Sequence, residues 1–180
     1  EVLKCLEQIL GQGNYQKLFK VNDKKFALNL VAGEESRVEW DHSHQGRKVH
    51  ISLWYNKTFT SLVNDGAQSW SEVYKPDISV HIRPYGEMIT SADSSALDVW
   101  VHFDAKYKLS PSEDENESKD DEGASATKSD MGKMHTYRDA IRRTAGAYVL
   151  FPGSNESRYR EYEEILPGIG AFPLRPQITE

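Results

Sequence analysis

The sequence predicts one α/β domain whose central mixed β-sheet is flanked by helices. Two runs, Ile78-Ser79-Val80-His81-Ile82 and Val99-Trp100-Val101-His102-Phe103-Asp104-Ala105, alternate as half-buried strands do. A helical apolar stripe opens the chain, and a second helix is followed by an apolar strand. A strand, a helix and then a strand call for a crossover and a parallel pair beside the antiparallel ones. With 180 residues, 38% of them hydrophobic, the chain suits one well-buried core and is short for two, so 1–180 reads as a single domain.

At the start, Val2, Leu3, Leu6, Ile9 and Leu10 recur on one helical face, with Gly11 and Gly13 as stop signals. Residues 26–32 and 48–55 alternate next and read as strands. Between them, residues 32–36 read as a turn and Asp41-His42-Ser43-His44-Gln45-Gly46 as a polar loop, and Asn64-Asp65-Gly66 marks a further loop. After the second central strand the composition shifts to serines, acids and glycine over about 110–129, the pattern of a disordered insert. From Asp130, Met131, Met134, Tyr137 and Ile141 predict a helix capped by Ser129 or Asp130 and ended by Gly146. Residues 147–151 then read as a buried strand, 158–165 as a short helix, and 168–174 as a terminal loop or strand.

The net charge of −6 would argue against a nucleic-acid partner if it were spread evenly. It is not: residues 113–122 hold seven acids and one lysine, which accounts for the whole −6 and leaves the other 170 residues neutral. A single cysteine, Cys5, excludes an internal disulfide, and neither a membrane span nor a signal peptide is visible, so a cytoplasmic protein with no membrane partner is expected. Glu1, where methionine would open a complete chain, leads to the expectation of a piece of something longer.

The two central runs carry the chemistry. Paired antiparallel with Ile78 against Phe103 and Val80 against Val101, they bring apolar residues together and set Asp77 opposite Asp104. Facing carboxylates repel unless a cation lies between them, and Mg2+ takes such oxygens, with Mn2+ as a substitute. The backbone carbonyl of Ala105 is a further candidate ligand. Lys106, on the face of Asp104, is placed to orient or deprotonate a water and to offset transition-state charge. The implied reaction is phosphodiester hydrolysis. A bare Asp-x-Lys also suits the solvated face of an edge strand, and Asp23-Lys24-Lys25 and Glu117-Ser118-Lys119 fit acid-x-Lys too. Only Asp104-Ala105-Lys106 sits in an apolar strand and follows a Pro-Asp placed to face it.

Pro76-Asp77 followed by Asp104-Ala105-Lys106 resembles the motif of the PD-(D/E)XK nuclease superfamily. Around it, Ile51-Ser52-Leu53-Trp54-Tyr55-Asn56, the run from Lys133 to Ile141, and Gly168-Ile169-Gly170-Ala171-Phe172-Pro173-Leu174-Arg175-Pro176 look like the branch that includes McrC-like restriction subunits. The resemblance implies a restriction-endonuclease-like fold and a Mg2+-dependent deoxyribonuclease of a restriction or phage-defence system, partnered by DNA and by an AAA+ NTPase. The alternative is a nuclease fold without catalysis, serving as a DNA-binding or assembly module.

Carried over residue by residue, the resemblance makes Asp77 and Asp104 metal ligands and Lys106 the catalytic lysine. In the family the first helix adds a glutamate, for which Glu1 is the candidate and Glu7 the other acid. Relatives carry a glutamine and a tyrosine on the helix after the lysine. Here His135 is read in place of the glutamine, while Tyr137 remains. Arg138, Arg142 and Arg143 on the same helix are candidate phosphate contacts, matched by surface salt bridging as the plainer reading. His42 and His44 have ligand spacing but no further His or Cys cluster. Lys17, Lys20, Lys24 and Lys25 form the other basic group. Trp40, Trp54 and Tyr55 read as core or sheet-cover aromatics. The acidic insert reads as a tolerated loop or as charge that repels DNA.

Overall fold

The computed structural model describes residues 1–16, 19–22, 27–30, 36–61, 69–85, 98–106, 128–152, 164–166 and 168–174. Strands β1 (Asn14–Gln16), β4 (Arg37–His44), β5 (Arg47–Tyr55), β6 (Ile78–Pro84), β7 (Val99–Ala105), β8 (Thr144–Pro152), β9 (Glu164–Leu166) and β10 (Ile169–Leu174) form one sheet in the order β1-β4-β5-β6-β7-β8-β10-β9. β2 (Phe19–Asn22) and β3 (Ala27–Leu30) pair separately as a hairpin. The sheet is mixed: β7, β8 and β10 run parallel, and the remaining pairs are antiparallel. This is the α/β architecture, a central mixed sheet flanked by helices, that the sequence predicts.

Each sheet face has its own helix, because alternation sorts the side chains of every strand into two sets. Val38, Trp40, Ile51, Leu53 and Val80, with Val101 and Phe103, face α1 (Val2–Leu10), which docks through Val2, Leu3, Leu6 and Leu10. Ile9, assigned to the same stripe, is exposed. The Trp40 indole N–H donates to the Gly11 carbonyl at 2.9 Å and ties the helix end to β4. On the other face, α2 (Lys128–Ala140) buries Met131, Met134 and Tyr137 against Trp100, Ala147, Val149 and Phe151, with Ile169 and Ala171 from β10. Those three residues and Ile141 are the stripe expected from the sequence. Cutting Met134 or Ile141 back to alanine there costs about 2–5 kcal/mol.

The central register is the expected one, Ile78 opposite Phe103 and Val80 opposite Val101. Four local expectations are corrected. Residues 41–44 are the end of β4 and not a loop: Asp41 pairs with His50 and His44 with Arg47, so the turn shrinks to Gln45-Gly46. Both turn residues have positive φ, 50° and 78°, the backbone that matches the twist of a two-residue hairpin. α2 begins at Lys128, which puts Ser129 and Asp130 inside its first turn, where an acid is favoured by the helix dipole. Gly146 lies within β8 and does not end the helix; the Tyr148 ring lies over it, 2.7 Å from where a Cβ would stand. Glu164 and Ile165, expected in a helix, belong to β9. The turn at 32–35, the Asn64-Asp65-Gly66 loop, the acidic insert up to 127, residues 158–163, and Lys17, Lys24 and Lys25 lie outside the described residues. Among the described residues no helix is long and apolar enough to cross a membrane.

Candidate active site

Asp77 immediately precedes β6, and Pro76 before it is fully buried, which fixes where the strand enters the sheet. The Asp77 carbonyl accepts from the Asn56 N–H at 2.9 Å, and its carboxylate Oδ2 accepts from the Ala105 N–H at 2.8 Å. The first aspartate is thus held against the strand that carries the second. The Lys106 N–H donates to the Leu150 carbonyl at 2.8 Å, so the chain stays on β8 just past the end of β7.

Asp104 is 1% exposed and has a lysine ammonium on each oxygen: Lys133 Nζ at 2.6 Å from Oδ1 and Lys106 Nζ at 2.8 Å from Oδ2. A buried carboxylate needs such compensation, since an ion withdrawn from water without partners costs several kcal/mol. Burial by itself would lower the pKa of both lysines, but the hydrogen bond and charge of Asp104 outweigh it and hold both above the usual lysine value. Lys106 therefore stays an ammonium at neutral pH, which favours orienting and charge-offsetting work over taking a proton. Asp130, in the first turn of α2, stands 3.4 Å from Lys106 and adds a fourth charge. Burial also raises the Tyr137 phenol, with Lys133 opposing and the charges of Asp104 and Asp77 adding to the rise.

The donor set suits a hard divalent cation. The Asp104 Oδ2 atom is buried and has the Lys106 ammonium at 2.8 Å. Asp77 uses Oδ2 on a backbone N–H, which orients the carboxylate. Two carboxylates across one strand pair are oxygen donors of the kind that Mg2+ or Mn2+ takes.

Lys133 was missed in the sequence, and the reason is helical geometry. Residues two apart on a helix stand about 200° around its axis, whereas residues four apart share a face. Lys133 lies four before Tyr137, with its Nζ 5.3 Å from the Tyr137 ring centroid. His135, read there instead, is exposed and turned to another flank of α2. Tyr137 itself is 4% exposed, and its ring packs edge-on against Tyr74, which gives it a core role in place of a DNA contact. The spacing from Tyr137 was the available signal for Lys133.

Glu1 is not brought to the pair. It precedes α1 on the far face of the sheet, its side chain is exposed, and its carbonyl accepts from the Cys5 N–H at 2.9 Å. Glu7 is engaged by the Tyr15 hydroxyl. Among the described residues no group of three or more His, Cys, Asp and Glu is placed to hold a metal ion, so any metal would rest on the two aspartates. Arg138 and Arg142 are exposed toward the C-terminal end of α2, Arg142 over the Trp70 ring at 3.9 Å. Arg143 stands 3.6 Å from Asp98. Trp40 is in the core, Trp54 and Tyr55 are half-buried, and His42 lies in β4.

Beneath the acids His102 is fully buried between β6 and β8. The Thr144 hydroxyl donates to the Ile141 carbonyl at 2.8 Å, so its oxygen accepts from His102 Nε2–H at 3.1 Å. Nδ1 is then left to accept from the Ser79 hydroxyl at 2.9 Å. Burial pushes its pKa down to about 3, so the ring is neutral. This chain fastens both neighbours of β7 two residues before Asp104.

A protein-family model described as PD-(D/E)XK nuclease superfamily matches residues 1–156. Neither a curated protein nor a solved structure matches.

Proposed function

The chain belongs to the PD-(D/E)XK nuclease superfamily, and we propose that it is a Mg2+-dependent deoxyribonuclease with its reaction centre at Asp77, Asp104 and Lys106. The observation that carries this reading is the buried Asp104 carboxylate, with the Lys106 ammonium 2.8 Å from its Oδ2, on a strand to which Asp77 is tied. Asp77 and Asp104, with the Ala105 carbonyl, would hold the cation. A bound Mg2+ or Mn2+ acidifies water and stabilises charge on phosphoryl oxygens. Lys106 offsets charge growing on the phosphate and orients the attacking water, while Lys133 steadies Asp104 from the other side. The hydrogen bond from Ala105 to Asp77 keeps the two acids from swinging apart as the substrate arrives.

The restriction or phage-defence setting and an AAA+ NTPase partner rest on the resemblance of residues 51–56, 133–141 and 168–176 to McrC-like subunits. A neighbouring AAA+ gene would support that setting. One feature favours the alternative of a non-catalytic DNA-binding or assembly module: no third acid joins the pair among the described residues. Plasmid cleavage decides between them. The wild type should nick supercoiled DNA with Mg2+ or Mn2+, while Asp104→Ala and Lys106→Ala should not. A wild type as inert as both variants, with the NTPase partner supplied, supports the module.

A further inference from the structure

Trp70 is 63% exposed, a costly place for a large aromatic ring, and it is firmly mounted. Its backbone N–H donates to the Ala140 carbonyl at 2.8 Å, Ser69 before it forms a β-bridge with Ile141, and the Ser69 N–H donates to the Thr60 carbonyl at 2.9 Å. The ring is therefore fixed to the C-terminal end of α2. The Arg142 guanidinium lies over it, 3.9 Å from the ring centroid, so the exposed surface is a tryptophan with a stacked planar cation.

We propose that Trp70 and Arg142 form a platform on which an unpaired base of a single-stranded substrate stacks. The inference rests on the reading of the aspartate pair as a nuclease centre and adds where the strand lies beyond it. Chain connectivity supports the direction. The segment from Trp70 reaches Tyr74, whose ring packs edge-on against Tyr137, and then Asp77. Along α2, Ala140 lies seven positions past Lys133, about 10 Å at the helical rise, and Arg142 follows in the turn just beyond the helix end. That length corresponds to about three stacked nucleotides. Charge of one sign does not describe the feature: Arg143 stands 3.6 Å from Asp98, and Glu72 and Asp139 lie nearby in sequence. Stacking is the property left, and only a base outside a duplex offers its face to it.

The test is anisotropy binding in EDTA, which separates binding from cleavage, using fluorescein-labelled (dT)16 and a 16-base-pair duplex. Trp70→Ala should weaken (dT)16 binding by about 5- to 150-fold, the range for loss of one base–aromatic stack. Duplex binding should change less than about twofold, Trp70→Phe should keep most of the affinity, and the Trp70→Ala loss should vary little with salt. Unchanged (dT)16 affinity in Trp70→Ala overturns the proposal, as does an equal loss on both substrates. Trp70-dependent self-association without any effect on the oligonucleotide overturns it in favour of a protein contact. A wild type that cleaves plasmid while Trp70→Ala binds normally refutes the platform alone. Trp70-dependent binding by a protein that never cleaves refutes the nuclease reading alone.

Discussion

Replacing Lys133 with methionine removes one of the two cations on Asp104 while keeping side-chain length and helix propensity. The cost lies between two limits. Exposed ion pairs contribute about 0.2–1 kcal/mol, and removing one partner of a fully buried pair costs about 3–5 kcal/mol. Here the carboxylate is 1% exposed, the Lys133 side chain 41%, and Lys106 still holds the other oxygen. Solvent screening at the lysine and the remaining partner place the expected loss near the middle, about 2 kcal/mol. For a domain of this size that lowers Tm by about 4–8 °C. Thermal or urea unfolding of wild type, Lys133→Met, Asp104→Asn and the double variant closes a cycle, and the expected coupling is about 1–2 kcal/mol. Because Asp104 is buried, most of that coupling should survive 1 M salt. A coupling within the usual additivity error of about 0.5 kcal/mol would mean that the lysine does not compensate Asp104 in solution.

Further outcomes follow from particular contacts. The His102 pKa is lowered in the fold, so its contribution to stability is present above about pH 6.5 and is lost as pH falls toward its folded value of about 3. By pH 5 the wild type should have lost about 2 kcal/mol through this group, a slope absent in His102→Leu and read by urea unfolding at pH 7 and 5. Gly168 has φ +83° and a Cβ there would meet the Ala145 carbonyl oxygen at 2.4 Å, so Gly168→Ala should lose about 2–3 kcal/mol, measured by thermal unfolding. A stable Gly168→Ala would show that the β8–β10 junction relaxes freely. His135→Ala should keep plasmid cleavage within about twofold of wild type, and a loss of tenfold or more would return the histidine to the site.

The hairpin of β6 and β7 was legible because its alternation sorts the apolar residues onto one face, and the expected pairing of Ile78 with Phe103 sets the two aspartates opposite each other. The α2 stripe was legible for the same kind of reason, three and four residue spacing of Met131, Met134, Tyr137 and Ile141. Lys133 was hidden because a lysine on a polar helix face looks like solvated surface until its distance from Tyr137 is converted into an angle. The outer end of β4 was hidden because Asp41 and Ser43 are exposed there, so the strand keeps its ladder but loses its apolar signature. His102 reads in the sequence as a polar residue on an alternating strand. Its role depends on Ser79 and Thr144, which only the assembled sheet brings to it. Glu1 was named from the resemblance, and the helical stripe beside it could not check that choice, because periodicity orients a helix about its own axis and says nothing of which sheet face it covers.

The central claim, that Asp77 and Asp104 jointly hold a divalent cation, is tested most directly by Mn2+ binding followed by electron paramagnetic resonance with an uncleavable phosphorothioate duplex present. The wild type should bind Mn2+ with saturation, and Asp77→Asn and Asp104→Asn should each weaken binding by tenfold or more. Saturable Mn2+ binding that both variants retain at wild-type strength would contradict the claim.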